Sequence, residues 1–273
     1  MSAGDLQAFL EDCRSLFIIT GAGISAPSGI GTYRADNGDW HSARPITHQE
    51  FVSSETARRR YWARSMRGWP VFQQAQANAA HAALARLEAD GRSLCLVTQN
   101  VDGLHQQAGQ TRLIELHGSL ARAVCLNCGQ QTSRQQLQHW LERHNPRLQA
   151  VTPTPAPDGD ADLGGAENAP DFRIPQCRLC GGVLKPDVVF YGDTVPKPRV
   201  AAAYAALEDA DGVLVVGSSL MVYSSFRFCR RAHELGIPMA AVNRGVTRAD
   251  AWYRCKLSAD CVIVLPSLVE QIR

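Results

Sequence analysis

Lysine is nearly missing from this chain: its 28 basic residues include only Lys185, Lys197 and Lys256, and the rest are arginine. That bias reads as a GC-rich coding sequence and not as chemistry, because 26 acidic residues bring the net charge to +2. Bulk nucleic-acid binding, which needs a cationic field, is therefore not expected. No apolar run approaches the ~18 residues of a membrane-spanning helix, so no membrane role is expected either. The opening "MSAGDLQAFLEDC" holds three acids and no basic residue before Arg14, unlike a signal peptide or an arginine-rich leader. A cytoplasmic protein is predicted, and the nine cysteines should then be reduced thiols or metal ligands, not disulfides. With 273 residues, 45% of them hydrophobic, the chain can build one large core and a smaller appended module.

What is present is a series of short apolar runs, each ending in small or polar residues. They are "SLFIIT" before "GAGIS", "SLCLVT" before "QNVDG", "RLIEL" before "HGS", "GVLVV" before "GSSL", "IPMAAV" before "NRG" and "DCVIVL" before "PSL". Helical spacing lies between several of them, as over 80–87 and 200–207. Continuous Val/Ile/Leu strands alternating with helices predict an α/β fold with a Rossmann-like parallel sheet, buried on both faces. Ligands of such sheets bind outside the carboxyl ends of the strands, where all six runs present their polar residues.

Two regions break the alternation. Residues 36–79 offer no convincing strand, only an arginine- and aromatic-rich helical stretch, "ARRRYWARSMRGW". Residues 122–190 hold two CxxC pairs, separated by a Pro/Gly/Asp-rich stretch, 145–176, that reads as a mobile loop. The expected layout is a dinucleotide-binding domain over 1–40, 86–121 and 190–273. A small module completes it, helical over 41–85 and metal-binding over 122–189.

Three constellations carry chemistry. "GAGISA" (21–26) follows a strand and fits G-x-G-x-x-A, in which glycines let backbone N–H groups approach a pyrophosphate. The second strand with a terminal acid that a dehydrogenase would need ~20 residues on is replaced by the loop-like "GTYRADNGDWHSARP". A dinucleotide site is expected, but not one built for hydride transfer. Cys125, Cys128, Cys177 and Cys180 lie in "CLNCG" and "CRLCGG", matched knuckles of a zinc ribbon. Four thiolates close a tetrahedron, so one structural Zn2+ per chain is predicted; the alternative is a pair of redox motifs. Third, "TQNVDG" puts Gln99, Asn100 and Asp102 at a strand end, and "ELHGS" puts His117 at another. A histidine there is a candidate general base. His105 reads as a hydrogen-bonded residue at a helix start, and Cys13, Cys95, Cys229 and Cys255 as buried thiols.

"GAGIS", "SGIGTYR", "TQNVDGLH", "ELHGS", the CxxC pairs, "LKPDVVFYGD", "GSSLMV" and "VNRG" stand in an order that resembles the sirtuins, the NAD-dependent protein deacylases. The resemblance runs from about residue 15 to 265. "YWAR", "GWPVF" and "LKPDVVFYGDTVP", with the long spacing between Cys pairs, look like the class II branch. Gly31 departs from the pattern, which usually has Pro there, and should loosen the loop that carries Tyr33 and Arg34.

The resemblance implies that an acyl-lysine oxygen attacks the nicotinamide ribose and expels nicotinamide. Free lysine and O-acyl-ADP-ribose are the products. Gly21, Ala22, Gly23 and Ser25 would hold the pyrophosphate side, and Arg34, with Tyr33, the loop and phosphates. Gln99, Asn100 and Asp102 would fix the ribose and the nicotinamide carboxamide, with His117 taking a proton from a ribose hydroxyl. Gly217, Ser218, Ser219, Asn243, Arg244, Gly245 and Cys261 would form the adenosine side. The acylated partner protein would add as an extended strand between "VVFYG" and "SSLMV", with Val188, Phe190 and Val222 as wall residues. A mono-ADP-ribosyltransferase on the same fold is the alternative, and a zinc-ribbon adaptor for nucleic acid is disfavoured by the charge. Tyr61 and Arg64 share the Y-x-x-R spacing of sirtuins that prefer acidic acyl chains, where a guanidinium can grip a carboxylate. The other reading is that five arginines between 58 and 67 form a solvated face with Tyr61 and Trp62 packed beneath.

Overall fold

The structure is a computed structural model, and it describes residues 2–32 and 45–272. It divides into two compact units. The first comprises Met1–His41, Gln76–Leu116 and Val195–Arg273; the second comprises Ser42–Ala75 and His117–Thr194. Residues 76–85, expected in the small module, belong to the first unit, where the Ala79–Ala89 helix packs on the sheet core through Ala80, Leu84 and Leu87.

With strands numbered along the chain, the first unit holds β1 (Leu16–Thr20), β2 (Ser93–Thr98), β3 (Leu113–Glu115), β9 (Gly212–Val216), β10 (Met239–Val242) and β11 (Cys255–Leu257). They form one parallel sheet in the order β11-β10-β9-β1-β2-β3. β1 and β9 are buried along their whole length, as the unbroken apolar runs require of central strands covered on both sides. Leu16 and Ile18 enter a core with Leu6, Phe9, Leu84, Leu96, Leu214 and Leu265. Phe17, out of step with them, meets Phe228, with ring centroids 5.8 Å apart. Each such side chain contributes about 1.5–3 kcal/mol on burial.

One expected strand is a helix. "DCVIVL" opens the Cys261–Gln271 helix, whose Asp260 cap accepts the Val262 N–H at 3.0 Å, and the sheet's sixth strand is instead the short β11. Burial follows the helical period: Cys261, Leu265, Leu268 and Val269 face the core while Ile263 is 72% exposed. A short apolar run does not by itself distinguish strand from helix, and here the capping aspartate decides.

The second unit holds β4 (Gly118–Cys125), β5 (Gln131–Ser133) and β8 (Leu184–Val188) in an antiparallel sheet of order β5-β4-β8, and a hairpin of β6 (Thr154–Ala156) and β7 (Asp160–Asp162). Helices His48–Ser53 and Glu55–Gln73 supply the arginine-rich part. The 145–176 stretch does not run free. Leu148, Ala161, Leu163 and Phe172 enter a core with Phe51, Trp62 and Met66. At Gly68 the Glu55–Gln73 helix abuts the hairpin: a Cβ there would lie 2.4 Å from the carbonyl oxygens of Gly159 and Asp160.

Candidate active site

In the first unit the carboxyl ends of β1 and β9 are drawn together by backbone contacts that only glycine permits. Gly23 donates its N–H to the Gly217 carbonyl at 2.8 Å, and Gly21 donates to Val216 at 3.3 Å. A Cβ on Gly23 would sit 2.8 Å from the Gly217 oxygen. Gly217 itself has φ +58°, and a Cβ there would lie 2.3 Å from the Ile24 nitrogen. These glycines clear the start of the Ala22–Ser25 turn of helix of side chains, as a cradle for a phosphate-bearing ligand requires. Three residues on, Leu220 adopts φ +56°, a strained conformation for a branched residue and one that clusters at functional sites. Nothing in the sequence marked it.

The polar residues of "TQNVDG" are tied into this cradle. Gln99 donates through Nε2 to Ser218 Oγ at 2.7 Å. Asn100 donates through Nδ2 to the Gly21 carbonyl (3.1 Å) and to Ser25 Oγ (3.0 Å). Among the described residues nothing pairs with its carboxamide oxygen, which is left as an acceptor for a ligand hydroxyl. Ser25 Oγ in turn donates to Asp102 Oδ2 at 2.7 Å, and Asp102 Oδ1 accepts the Leu104 N–H at 2.9 Å. Burial pushes the Asp102 carboxyl above its ordinary value, against the pull of those two bonds.

On the β10 side, Asn243 donates to the Gly245 carbonyl (2.9 Å) and Arg244 pairs with Asp260 (2.5 Å). Cys261 is buried, its Sγ 4.0 Å from the Gly23 carbonyl, and burial raises its thiol to about 11. Ser219 accepts the Arg248 N–H at its carbonyl. Val222 caps the Tyr223–Glu234 helix and is half-buried. Tyr33 and Arg34 lie outside the described residues.

In the second unit, the half-buried His117 accepts the Val189 N–H at its carbonyl (2.8 Å), which joins it to the segment after β8. Gly118 follows at φ +87°, and a Cβ there would meet the Asp187 carbonyl, so the histidine's neighbour must be glycine. Phe190 sits among Phe51 and Tyr61, both with centroids at 5.4 Å, and beneath Lys185, whose Nζ lies 4.5 Å above its ring. Lys185 is buried, pairs with Asp193 at 3.5 Å and bonds the Val188 carbonyl. His48 pairs with the same Asp193 at 3.1 Å. This lysine–aspartate–histidine cluster escaped the sequence reading because His48 lies far from Lys185 and Asp193 in the chain.

Arg64 is not placed as the acidic-acyl expectation needs. Its Nε and Nη2 bind Asp160 Oδ1 and Oδ2 at 2.9 and 2.6 Å, and Nε also binds the Ala161 carbonyl. The guanidinium fork is already filled by a carboxylate of the chain. Tyr61 packs edge-on against Phe51 and Trp62. Burial raises its phenol far above the usual range.

Cys125, Cys128, Cys177 and Cys180 bring their sulfurs within 4.8 Å of one another. Cys125–Cys180 and Cys128–Cys177 are 3.5 and 3.7 Å apart. A tetrahedral zinc with bonds of about 2.3 Å sets sulfurs about 3.8 Å apart, so the donor set fits. Each knuckle turns on a glycine of positive φ, Gly129 (+75°) and Gly181 (+71°), whose N–H returns to the first cysteine's carbonyl. With four ligands no coordination position stays open, and the centre is structural.

Fold and site together define a nucleotide-binding α/β protein with a zinc ribbon. The profile of the Sir2 family matches residues 21–224. The NAD-dependent protein deacetylase of Bordetella bronchiseptica is 52% identical over 268 residues, covering 97% of both chains. NAD-dependent protein deacetylase 2 of Bradyrhizobium diazoefficiens is 50% identical over 264 residues, covering 97% of this chain and 96% of that one. A solved Sir2–p53 peptide–NAD+ complex superposes with a TM-score of 0.78 at 27% identity, covering 99% of this chain and 98% of the other. The chain belongs to the Sir2 family.

Proposed function

We propose that this protein is an NAD-dependent protein-lysine deacetylase, as its close relatives are named. The observation that carries the reading is the Asn100–Ser25–Asp102 chain of hydrogen bonds, set against a cradle emptied by Gly21, Gly23 and Gly217. It gives one end of NAD a side-chain-free bed for pyrophosphate and the other a carboxamide acceptor for a ribose hydroxyl.

In this reading the Gly21 and Gly23 N–H groups are spent on the Val216 and Gly217 carbonyls, so these glycines clear the approach while Ala22 offers its backbone N–H to the phosphates, and Gln99, held to Ser218, braces the floor. Asn100 orients the ribose and Asp102 holds Ser25 and the nicotinamide carboxamide. His117 removes a proton from a ribose hydroxyl once nicotinamide has left, so that the sugar oxygen can attack the acyl carbon. Gly217, Ser218, Ser219, Asn243, Arg244, Gly245 and Cys261 serve the adenosine. The four cysteines hold zinc as a fold element, outside the chemistry.

The solved Sir2 relative holds a p53 peptide beside NAD+. Our reading extends this to an acylated protein laid down as an extended strand, with Val188, Phe190 and Val222 lining the lysine path. "YWAR" and "GWPVF" support a class II assignment. A neutral acyl group suits the site, since Arg64 is bound to Asp160. No helix among the described residues is long and apolar enough to cross a membrane. A centre of four thiolates suits a reducing compartment such as the cytoplasm.

Incubation with NAD and an acetyl-lysine peptide, followed by mass analysis, tests the reading. One nicotinamide and one O-acetyl-ADP-ribose should form per lysine freed. ADP-ribose attached to protein would instead identify a transferase.

A further inference from the structure

Behind the NAD cradle lies a buried histidine that the proposed reaction does not use. His105 is 1% exposed, and its Nε2 lies 2.9 Å from the hydroxyl of Thr20, the last residue of β1. Thr20 Oγ1 donates to Thr98 Oγ1 at the end of β2, again at 2.9 Å. Thr98 Oγ1 also accepts the backbone N–H of Asn100 at 3.1 Å. All four residues are buried.

The protons in this chain have one low-cost arrangement. Thr20 has a single hydroxyl proton, and when Thr98 receives it the Thr20 oxygen must accept from His105, so the ring proton sits on Nε2. The reverse direction would leave an Nδ1–H donor, and His105 Nδ1 is buried without a partner among the described residues. An orphaned N–H costs more than a bare lone pair. The ring is also kept uncharged: burial, with His81 packed edge-on at 4.8 Å, lowers His105 to about 3.

The geometry points to His105 as a positioning residue for the co-substrate. Its Nε2–H, relayed through the hydroxyls of Thr20 and Thr98, anchors the Asn100 backbone and so aims the Asn100 carboxamide at the ribose. Bonds in such a buried chain polarise one another, which makes the last link stiffer than an isolated N–H···O contact. The inference rests on reading Asn100 as the ribose contact.

Variants of the full chain test it, read by KM for NAD, kcat and amide exchange at Asn100 without NAD. His105→Leu keeps most of the volume and removes the donor, and KM for NAD should rise about tenfold with kcat much less affected. His105→Gln, whose amide reaches the same hydroxyl, should recover most of that loss. Thr20→Val cuts the middle link and should match His105→Leu; combining the two should add less than about twofold, because the chain is already broken. Asn100 exchange should speed up in every variant that cuts the chain. Equal losses in His105→Leu and His105→Gln, or losses that multiply in the double variant, would overturn the proposal. If His105→Leu does not fold, the nearly isosteric Thr20→Val decides: unchanged Asn100 exchange sinks the chain. Asn100→Ala separates the two readings, since normal NAD affinity there removes Asn100 from the ribose, whatever the exchange data show about His105.

Discussion

Arg64 and Asp160, 96 residues apart in sequence, meet as a two-pronged ion pair of 2.9 and 2.6 Å. The pair fastens the Glu55–Gln73 helix to the β6–β7 hairpin, so its first consequence concerns stability. Arg64→Met should lower the melting temperature by a few degrees, the scale of about 1–3 kcal/mol for stranding a partly buried carboxylate. The ratio of kcat/KM for acetyl- and glutaryl-lysine peptides should stay as in the parent. A swing toward neutral chains in the variant would show that the guanidinium leaves Asp160 to meet substrate.

His117→Ala should leave NAD affinity and melting temperature near the parent values. Turnover should fall about 100-fold or more, the usual scale for acid–base assistance. Near-normal turnover would remove His117 from the chemistry.

Zinc should be present at one ion per chain. Stripping it leaves four thiols within 4.8 Å with no cation between them, so the second unit should lose its cooperative melt and activity should fall with it. A metal-free sample that still melts and turns over normally would contradict the structural assignment.

The buried histidines make stability fall on the acid side. Burial lowers His81 to about 4 and His105 to about 3, both below the ordinary value of 6.5. Between those limits the unfolded chain binds protons that the folded one refuses, so stability falls as pH drops from about 6.5 toward 4. Each unit of depression is worth about 1.4 kcal/mol. Urea midpoints at pH 7 and pH 5 should therefore differ more in the parent than in His81→Leu. Equal differences would mean that His81 does not resist protonation.

How much of this was legible depends on how far each contact reaches. β1, β2 and β9 announce themselves as unbroken apolar runs, because a strand covered on both faces needs no polar residue. The cysteine knuckles are equally plain, since ligand spacing within a turn is local. The Cys261–Gln271 helix was misread because Val262, Ile263 and Val264 favour strands in isolation, while the pattern that marks a helix emerges only with Leu268 and Val269. β11 has three residues, too few to show a period. The hairpin seated on Gly68 was hidden in a stretch whose composition suggests disorder, its anchors (Ala161, Leu163, Phe172) being few among Pro, Gly and Asp. The Thr20–His105 chain was invisible for another reason: threonine at a strand end is common, and only the fold brings the imidazole to it.

The strand order has a consequence for how the chain is made. β1 sits at the middle of its sheet, paired on one side with β2 and on the other with β9 in the register Leu16 to Gly212. A ribosome adding about 5–20 residues per second needs on the order of 6–25 s to go from one of those partners to the other. The Ser42–Ala75 segment of the second unit has emerged before β2, and its other segment, His117–Thr194, emerges in that interval. The nascent chain can therefore complete its zinc ribbon while one edge of β1 still waits for its neighbour. During synthesis that open edge, the unpaired backbone N–H and C=O groups of Leu16–Thr20, is the part of the molecule a chaperone would need to guard.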